Sequence, residues 1–273
     1  MMPRRWRMLT ALSAAVAAVA CIDITVDTKA LGSVQVVTRG DSVVVAGDTW
    51  RDVNGAVAPL QVTVFNAGGD VIQARNIQFV TIDTLRLAAT DTPSSRVRVT
   101  PNGLVIARTG VTGLGKFFVV IDSALQSVLQ QVDVVPKPES LALVTAARDT
   151  INYRTLATNP YDTSGAISVR VAADGASNVE KWVVNFSLEK ALDSSAITDT
   201  SLYAIVTDAN VVSPTARTDA NGVASRRVRF KGIPGTTLID SVFLVARARF
   251  KNVELPGSPK RVFVLVKPAS STP

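Results

Sequence analysis

The stretch Trp182-Val183-Val184-Asn185-Phe186-Ser187-Leu188-Glu189 decides the fold of this chain. Large apolar side chains occupy every second position, at Trp182, Val184, Phe186 and Leu188. Because successive side chains of a β-strand point to opposite faces, this alternation predicts a strand with one face on an apolar core. No long helical pattern follows anywhere after residue 21.

Similar short runs occupy most of the chain on both sides of this stretch. Before residue 136 we predict strands at 34–38, 42–45, 60–65, 77–81, 96–100, 104–108, 116–121 and 128–135. After residue 139 we predict strands at 141–146, 167–172, 182–188, 201–207, 223–230, 241–250 and 261–266. Turn signals such as Asn54-Gly55 and Asn221-Gly222 separate the runs. Many short strands at this spacing predict β-sandwiches.

The composition also favours an all-β fold. Hydrophobic residues make up 47% of the 273 residues and aromatic residues only 5%, so Val, Ile, Leu and Ala must form the cores. Pro136 and Pro138 interrupt the pattern, and we place a domain boundary there because proline cannot continue a central strand. The predicted units are a first sandwich at 33–135, a linker at 136–139, a second sandwich at 140–267 and a polar tail at 268–273.

The N-terminus has the order of a secretory signal. Three arginines precede an apolar run over residues 8–19, and small residues lead to Cys21, the only cysteine. This run is too short to cross a bilayer, which needs about 20 residues. We expect residues 1–20 to be removed as a signal peptide and residues 21–32 to form a tether.

The segment Ala18-Val19-Ala20-Cys21 resembles the lipobox of bacterial lipoproteins. The resemblance implies that the Cys21 thiol receives a diacylglycerol and that the signal is cut before it. Ordinary secretion and an uncleaved anchor are the alternatives. An exposed free thiol is a liability in an oxidising compartment, which favours acylation. We therefore expect an exported protein, anchored in a membrane on the periplasmic or outer face of a bacterial envelope.

Turn-and-strand motifs in both units resemble bacterial Ig-like domains. The second unit resembles the invasin/intimin type through Thr218-Asp219-Ala220-Asn221-Gly222-Val223-Ala224 and Asn185-Phe186-Ser187. In the first unit, Val99-Thr100-Pro101-Asn102-Gly103-Leu104-Val105 fits a related hairpin. The resemblance implies two tandem Ig-like β-sandwich domains and suggests surface adhesion, although such motifs carry fold information and little about function.

The chain contains no histidine and only one cysteine. This composition excludes Ser-His-Asp and Cys-His catalysis, imidazole metal sites and thiolate clusters. Ser187 and Lys190 match the Ser-x-x-Lys spacing of penicillin-binding enzymes, but on a strand they point to opposite faces. We therefore predict a protein that is not an enzyme and has no cofactor.

Two further sets of residues have a structural and a functional interpretation. Oxygen ligands for calcium could meet at Asp199, Asp208, Asn210 and Asp219. Because Asp and Asn side chains commonly bond local backbone in turns, we favour that interpretation and predict no metal site. Trp50 is either a plug over the end of a sandwich or an exposed contact anchor.

Charge is distributed unevenly along the chain. The net charge is +7, and loss of the three arginines of the signal leaves +4. Residues 217–273 contain eleven Lys and Arg against three Asp and Glu, a net +8. Residues 21–216 contain fifteen against nineteen, a net −4. The C-terminal end is therefore a basic pole.

The basic pole contains a candidate interaction surface. Its members are Arg226, Arg227, Arg229, Lys231, Arg247, Arg249 and Lys251. In the Ig-like order the strands at 223–230 and 241–250 would be neighbours, so these side chains would form one stripe. Such a stripe could bind anionic lipid headgroups, lipopolysaccharide or an acidic protein partner. Alternatively, it is a solvated face that protects an edge strand from aggregation.

These observations together predict a non-catalytic, lipid-anchored envelope protein that acts as a cell-surface or periplasmic binding or adhesion module. The alternative is an accessory structural subunit that docks on a larger envelope membrane-protein complex and stabilises it. The expected partners are a membrane, through lipid at Cys21, and either a protein or an anionic envelope surface. Nucleic acid is not expected, because no stacking aromatic residues interleave with the basic ones.

Overall fold

The computed structural model describes residues 30–269 except 74–75, 83–94, 124, 155–159 and 233–237. The predicted signal peptide at 1–20, the acylation site Cys21, most of the tether and most of the polar tail lie outside the described residues. Within the described part, no helix has the length and apolar character needed to cross a membrane.

In the first half of the chain, which we call the N-terminal unit, the described residues form ten strands. They are β1 Leu31–Val37, β2 Val43–Val45, β3 Gln61–Asn66, β4 Val71–Ile72, β5 Ile77–Thr81, β6 Val97–Val99, β7 Val105–Ala107, β8 Gly113–Ile121, β9 Leu125–Gln126 and β10 Gln130–Val135. One sheet has the order β1-β3-β4, and a second has the order β2-β10-β8-β5 with β9 beside β8. Strands β6 and β7 form a hairpin.

In the second half, which we call the C-terminal unit, the residues that the structure describes form eleven strands and a 3₁₀ turn at Asp174–Ala176. The strands are β11 Ser140–Leu143, β12 Arg148–Tyr153, β13 Tyr161–Thr163, β14 Ile167–Ala172, β15 Val183–Lys190, β16 Tyr203–Val206, β17 Thr215–Arg217, β18 Val223–Lys231, β19 Asp240–Phe250, β20 Val253–Glu254 and β21 Lys260–Pro268. One sheet has the order β11-β14-β18-β13 with β16 beside β18. The other has the order β12-β21-β19-β15-β17 with β20 beside β19.

Both units bury the apolar face of one sheet against that of another. In the C-terminal unit, Val171 and Phe230 of the first sheet share a core with Leu244 of the second. In the N-terminal unit, Val64 of β3 packs against Val119 of β8. Burial of these aliphatic faces is the main favourable contribution to folding. The prediction of an all-β fold with sandwich packing is confirmed.

The stretch quoted first forms β15, which lies inside the second sheet of the C-terminal unit. Val184, Phe186 and Leu188 are buried in the core, and Trp182 is half-buried beside it. The alternation in the sequence therefore gives the correct inward face of this strand.

The two units lie end to end. Val43, Val45 and Val135 of the N-terminal unit belong to the same apolar cluster as the core of the C-terminal unit, and they mark the junction. Strand β1 begins beside the turn that follows Asn66 and ends at Val37, just before the segment that contacts the C-terminal unit. The chain therefore enters the N-terminal unit at the end opposite the junction.

Candidate interaction surfaces

The two strands that carry most of the predicted basic surface lie in different sheets. Strand β18 pairs with β13, β14 and β16, whereas β19 pairs with β15, β20 and β21. The prediction that these strands are neighbours is therefore wrong, and one continuous stripe does not form. Each strand has its own apolar inner face, and a sandwich needs such a face from both of its sheets.

The two strands also run in opposite directions relative to the junction. The N–H of Lys181, which lies at the junction, donates to the carbonyl of Thr218 just before β18, so β18 runs away from the junction. Lys251, just after β19, contacts Asp48 of the N-terminal unit, so β19 runs toward the junction. Lys231, at the end of β18, therefore lies at the opposite end of the C-terminal unit from Arg249 and Lys251, whereas Arg226, near the start of β18, lines the same cleft as Arg249.

Arg227, Arg229 and Lys231 form what we call the distal basic row. They alternate with buried Val228 and Phe230, so their side chains point outward from β18. Because β18 runs away from the junction, the row extends toward the end of the C-terminal unit that lies opposite the junction.

The members of the distal basic row have different partners. Arg227 Nε lies 2.7 Å from Oδ1 of Asp208, and the Arg229 guanidinium carbon lies 4.6 Å from the ring centroid of Tyr161. Among the described residues, no carboxylate lies within ion-pair distance of Arg229 or Lys231. The row therefore presents two positive charges that no carboxylate of the described residues pairs.

Arg226 has a different role from its neighbours on β18. Its Nε donates to the carbonyl of Ser213 at 3.0 Å, and Nη2 donates to the carbonyl of Thr215. Thr215 belongs to β17, which ends its sheet, and Ser213 lies just before it, so the guanidinium covers an exposed strand edge. Burial lowers the pKa of Arg226, and the nearby charge of Asp208 opposes this effect. Arg226 closes the side of the sandwich and is not part of an outward surface.

Arg247 and Arg249 belong to a network of ion pairs on the outer face of the second sheet. Glu189 is only 7% exposed, with Oε1 3.0 Å from Arg247 Nη2 and Oε2 3.0 Å from Arg261 Nη2. The second contact is ionic and lacks the direction of a hydrogen bond. Glu254 Oε1 lies 3.6 Å from Arg247 and 3.4 Å from Arg249. Two carboxylates thus offset most of the charge of three arginines.

Among the described residues, three ion pairs join the units, and each one links an acid of the N-terminal unit to a base of the C-terminal unit. These junction ion pairs are Asp133 Oδ2 to Lys181 Nζ at 2.6 Å, Asp41 Oδ1 to Arg217 Nη2 at 2.5 Å and Asp48 Oδ2 to Lys251 Nζ at 3.2 Å. The hydrogen bond to Asp133 raises the pKa of Lys181. The charge asymmetry seen in the sequence is therefore partly neutralised within the molecule.

The junction is also closely packed beside these charges. A Cβ on Gly55 would lie 3.0 Å from the backbone nitrogen of Asn252, so the loop around Gly55 rests directly on the turn after β19. Burial acts to raise the pKa of Asp48, but bonds from Arg51, the Thr49 backbone and Lys251 together lower it. A cleft of about 670 Å³, open to solvent, runs along this contact.

Trp50 is a structural plug, because it is only 4% exposed. Its indole Nε1 donates to the carbonyl of Asp41 at 2.6 Å, and its ring lies against Gly40. Of the two interpretations of Trp50, the structure supports the plug over the contact anchor.

The acidic turn residues mostly bond nearby groups. Asp199 accepts from the N–H of Ser201, Asp219 accepts from two backbone N–H groups, and Asp208 pairs with Arg227. Hydrogen bonds from the Ser201 backbone and hydroxyl lower the pKa of Asp199. In the part of the chain that the structure describes, no three His, Cys, Asp or Glu side chains lie together as they would around a metal ion. These contacts favour the interpretation of the acidic residues as turn residues.

No protein-family model and no curated protein sequence matches this chain. Solved structures similar to it include domains 4 and 5 of the S-layer protein SbsC, at 13% identity and a TM-score of 0.29, covering 88% of this chain and 100% of that one. The fibronectin(III)-like modules of Clostridium thermocellum CbhA give 14% identity and a TM-score of 0.32, covering 88% and 97%. The S. aureus collagen adhesin CNA gives 10% identity and a TM-score of 0.21, covering 88% and 93%. Similarity at this level establishes neither a family nor a function.

Proposed function

We propose that this protein is a non-catalytic binding module of the cell surface or periplasm, anchored by lipid at Cys21. The end-to-end arrangement of the units supports this proposal most strongly. The chain enters the N-terminal unit at one end, and the distal basic row lies toward the opposite end of the C-terminal unit. An anchor ahead of residue 30 is thus separated from the row by both units.

The junction supports a role for the N-terminal unit as a spacer of fixed direction. Buried Val43, Val45 and Val135 resist separation of the units because separation would expose apolar surface. The junction ion pairs fix the orientation of one unit relative to the other, since each one requires a particular pair of side chains to meet. A spacer of this kind holds the C-terminal unit at a constant distance from its anchor.

The buried carboxylates support the non-catalytic part of the proposal. Asp48 is held by Arg51 and Lys251, and Glu189 is held by Arg247 and Arg261. A general acid must carry a proton near the working pH, whereas the bonds from Arg51 and Lys251 help to lower the pKa of Asp48. These groups therefore serve the architecture.

One observation favours the alternative role of an accessory subunit. Phe243 and Phe263 point outward from β19 and β21 and are half-buried, with ring centroids 5.8 Å apart. The guanidinium carbon of Arg148 lies 6.0 Å from the ring of Phe263. Aromatic and arginine side chains are enriched in protein interfaces, so a partner subunit could cover this face.

Protease treatment of intact cells followed by gentle detergent extraction tests the proposal. A tagged protein that is cleaved on intact cells, and that Cys21→Ala releases from the membrane, supports an anchored surface module. A protein that is protected and co-purifies at a fixed ratio with one membrane complex supports the accessory subunit. Hydrolysis of a cell-wall substrate by the pure protein would contradict both roles.

A further inference from the structure

We propose that the distal basic row binds an extended acidic polysaccharide, with anionic groups repeated along its length. This inference rests on the proposed function. It names the chemical class of partner that the distal basic row of the C-terminal unit would bind. Alternate residues of a strand lie about 6.6–6.8 Å apart, so the three cations cover roughly 13 Å in a straight line. A linear polyanion that lies along β18 meets Arg227, Arg229 and Lys231 in succession.

The charges of the row are available to a ligand. Arg229 and Lys231 have no ion-pair partner among the described carboxylates. Arg227 is paired, but the side chain of Asp208 is 70% exposed. Exposed ion pairs contribute little to stability because water screens them, so an anionic group of a ligand can replace Asp208 at small cost.

Arg229, the central cation of the row, has a side chain whose orientation is fixed by contacts within the protein. The Arg229 guanidinium lies over the ring of Tyr161, and its Nη1 makes long bonds of 3.4 and 3.3 Å to the backbone and side-chain oxygens of Asn210. A planar guanidinium with a fixed orientation loses less freedom when it binds an anion. Tyr161 itself is 38% exposed and adds an aromatic edge that a sugar ring can contact.

The shape of the row favours a linear polymer over other anionic partners. The row follows a single strand, whereas a protein partner usually covers about 800 Å² on each side. Nucleic-acid bases need open aromatic faces for stacking, and Arg229 already lies on a face of Tyr161. An extended polysaccharide needs neither a broad area nor a stacking platform.

Binding of the purified full-length protein to immobilised polygalacturonate, at low and moderate salt, tests this inference. The triple variant Arg227→Gln, Arg229→Gln, Lys231→Gln removes the row. The matched control Arg98→Gln, Lys190→Gln, Lys267→Gln removes the same charge from exposed positions elsewhere. We expect the row variant to bind about tenfold more weakly, the control to bind nearly as the parent does, and salt to weaken the parent's binding.

Several results would overturn this inference. They are an absence of binding by the parent protein, equal weakening by both triple variants, or binding to neutral dextran as strong as to polygalacturonate. Row-dependent binding to phosphatidylglycerol vesicles or to oligo-dT without binding to polygalacturonate would assign the row to a different anion. Any of these results leaves the proposed function standing if the protein is still cleaved by protease on intact cells.

Discussion

Lys181 of the C-terminal unit and Asp133 of the N-terminal unit form an ion pair across the junction, with 2.6 Å between Nζ and Oδ2. Asp133 lies on β10, two residues before buried Val135, and Lys181 lies just before β15. The pair therefore connects the central part of one sheet in each unit. Its geometry couples the orientation of the two units.

Reversing the charges of this pair tests that coupling. Lys181→Asp and Asp133→Lys should each lower the free energy of unfolding by up to about 1 kcal/mol, because both side chains are partly exposed. The double reversal should recover most of the loss, since it restores the attraction. Urea unfolding gives the energies, and small-angle X-ray scattering gives the maximum dimension. Lys137→Glu, which alters a local pair with Glu139, should leave the scattering unchanged.

Lowering the pH should weaken the junction, because the Asp48 carboxylate becomes protonated. The pKa of this carboxyl lies below its ordinary value in the folded protein, so its contribution is present above about pH 4 and is lost as the pH falls through the folded pKa. Melting temperatures measured from pH 6 to pH 2 should fall at the acid end, and Asp48→Asn should flatten that fall. Lys251→Met, which removes one donor, should move the fall to higher pH. An identical acid profile in all three proteins would contradict this account.

The plug residue Trp50 should be among the most sensitive positions of the N-terminal unit. Trp50→Ala should cost about 3–5 kcal/mol, because it leaves a cavity beside Val44 and Val105. Trp50→Phe should cost less, since it keeps an aromatic ring and loses the bond to Asp41. Denaturant unfolding measures both. The control Val53→Ala, at a position 68% exposed, should stay within about 0.5 kcal/mol of the parent.

Alanine substitutions at Gly222 and Gly69 should separate two contributions to the loss of stability, that of the backbone conformation and that of steric contact. Both have positive φ, at 72° and 89°, but a Cβ on Gly222 would lie 2.6 Å from the carbonyl oxygen of Val171. A Cβ on Gly69 would meet nothing within 4 Å. Gly69→Ala should therefore cost about 1–2 kcal/mol from the left-handed backbone alone, and Gly222→Ala should cost clearly more. Equal losses in thermal unfolding would mean that the loop around Gly222 relaxes.

Strong alternation in the sequence gave accurate strands. The predictions at 77–81 and 167–172 match β5 and β14 residue for residue. Strand β12 was missed because most of its residues are polar, and only Ile151 and Tyr153 are buried. It pairs in parallel with β21, more than 100 residues later, and no local turn signals such a pairing. The edge strands β13 and β17 were also missed, because each has only three residues and most of them are polar.

The candidate site was predictable only in part. Because successive side chains of a strand alternate between faces, the spacing of two residues gives Arg227 and Arg229 one face, and Arg247 and Arg249 another. It could not show which strands are neighbours, because side-chain periodicity within a strand is independent of sheet order. The excess of acid before residue 217 and of base after it was visible, but the pairing of Asp133 with Lys181, 48 residues apart, required the folded chain.

The direction of β1 determines how the protein responds to mechanical tension. The strand runs from the point of chain entry toward the junction, and it is paired with β3 from Leu31 to Val37. A pull on the anchor, directed away from the C-terminal unit, acts along the axis of β1 and across its hydrogen bonds. The bonds of the strand then share the load in shear, whereas a pull across the sheet would open them one after another. Under the proposed anchoring at Cys21, the chain would resist extension most strongly along the line from the start of β1 toward the end of the C-terminal unit opposite the junction.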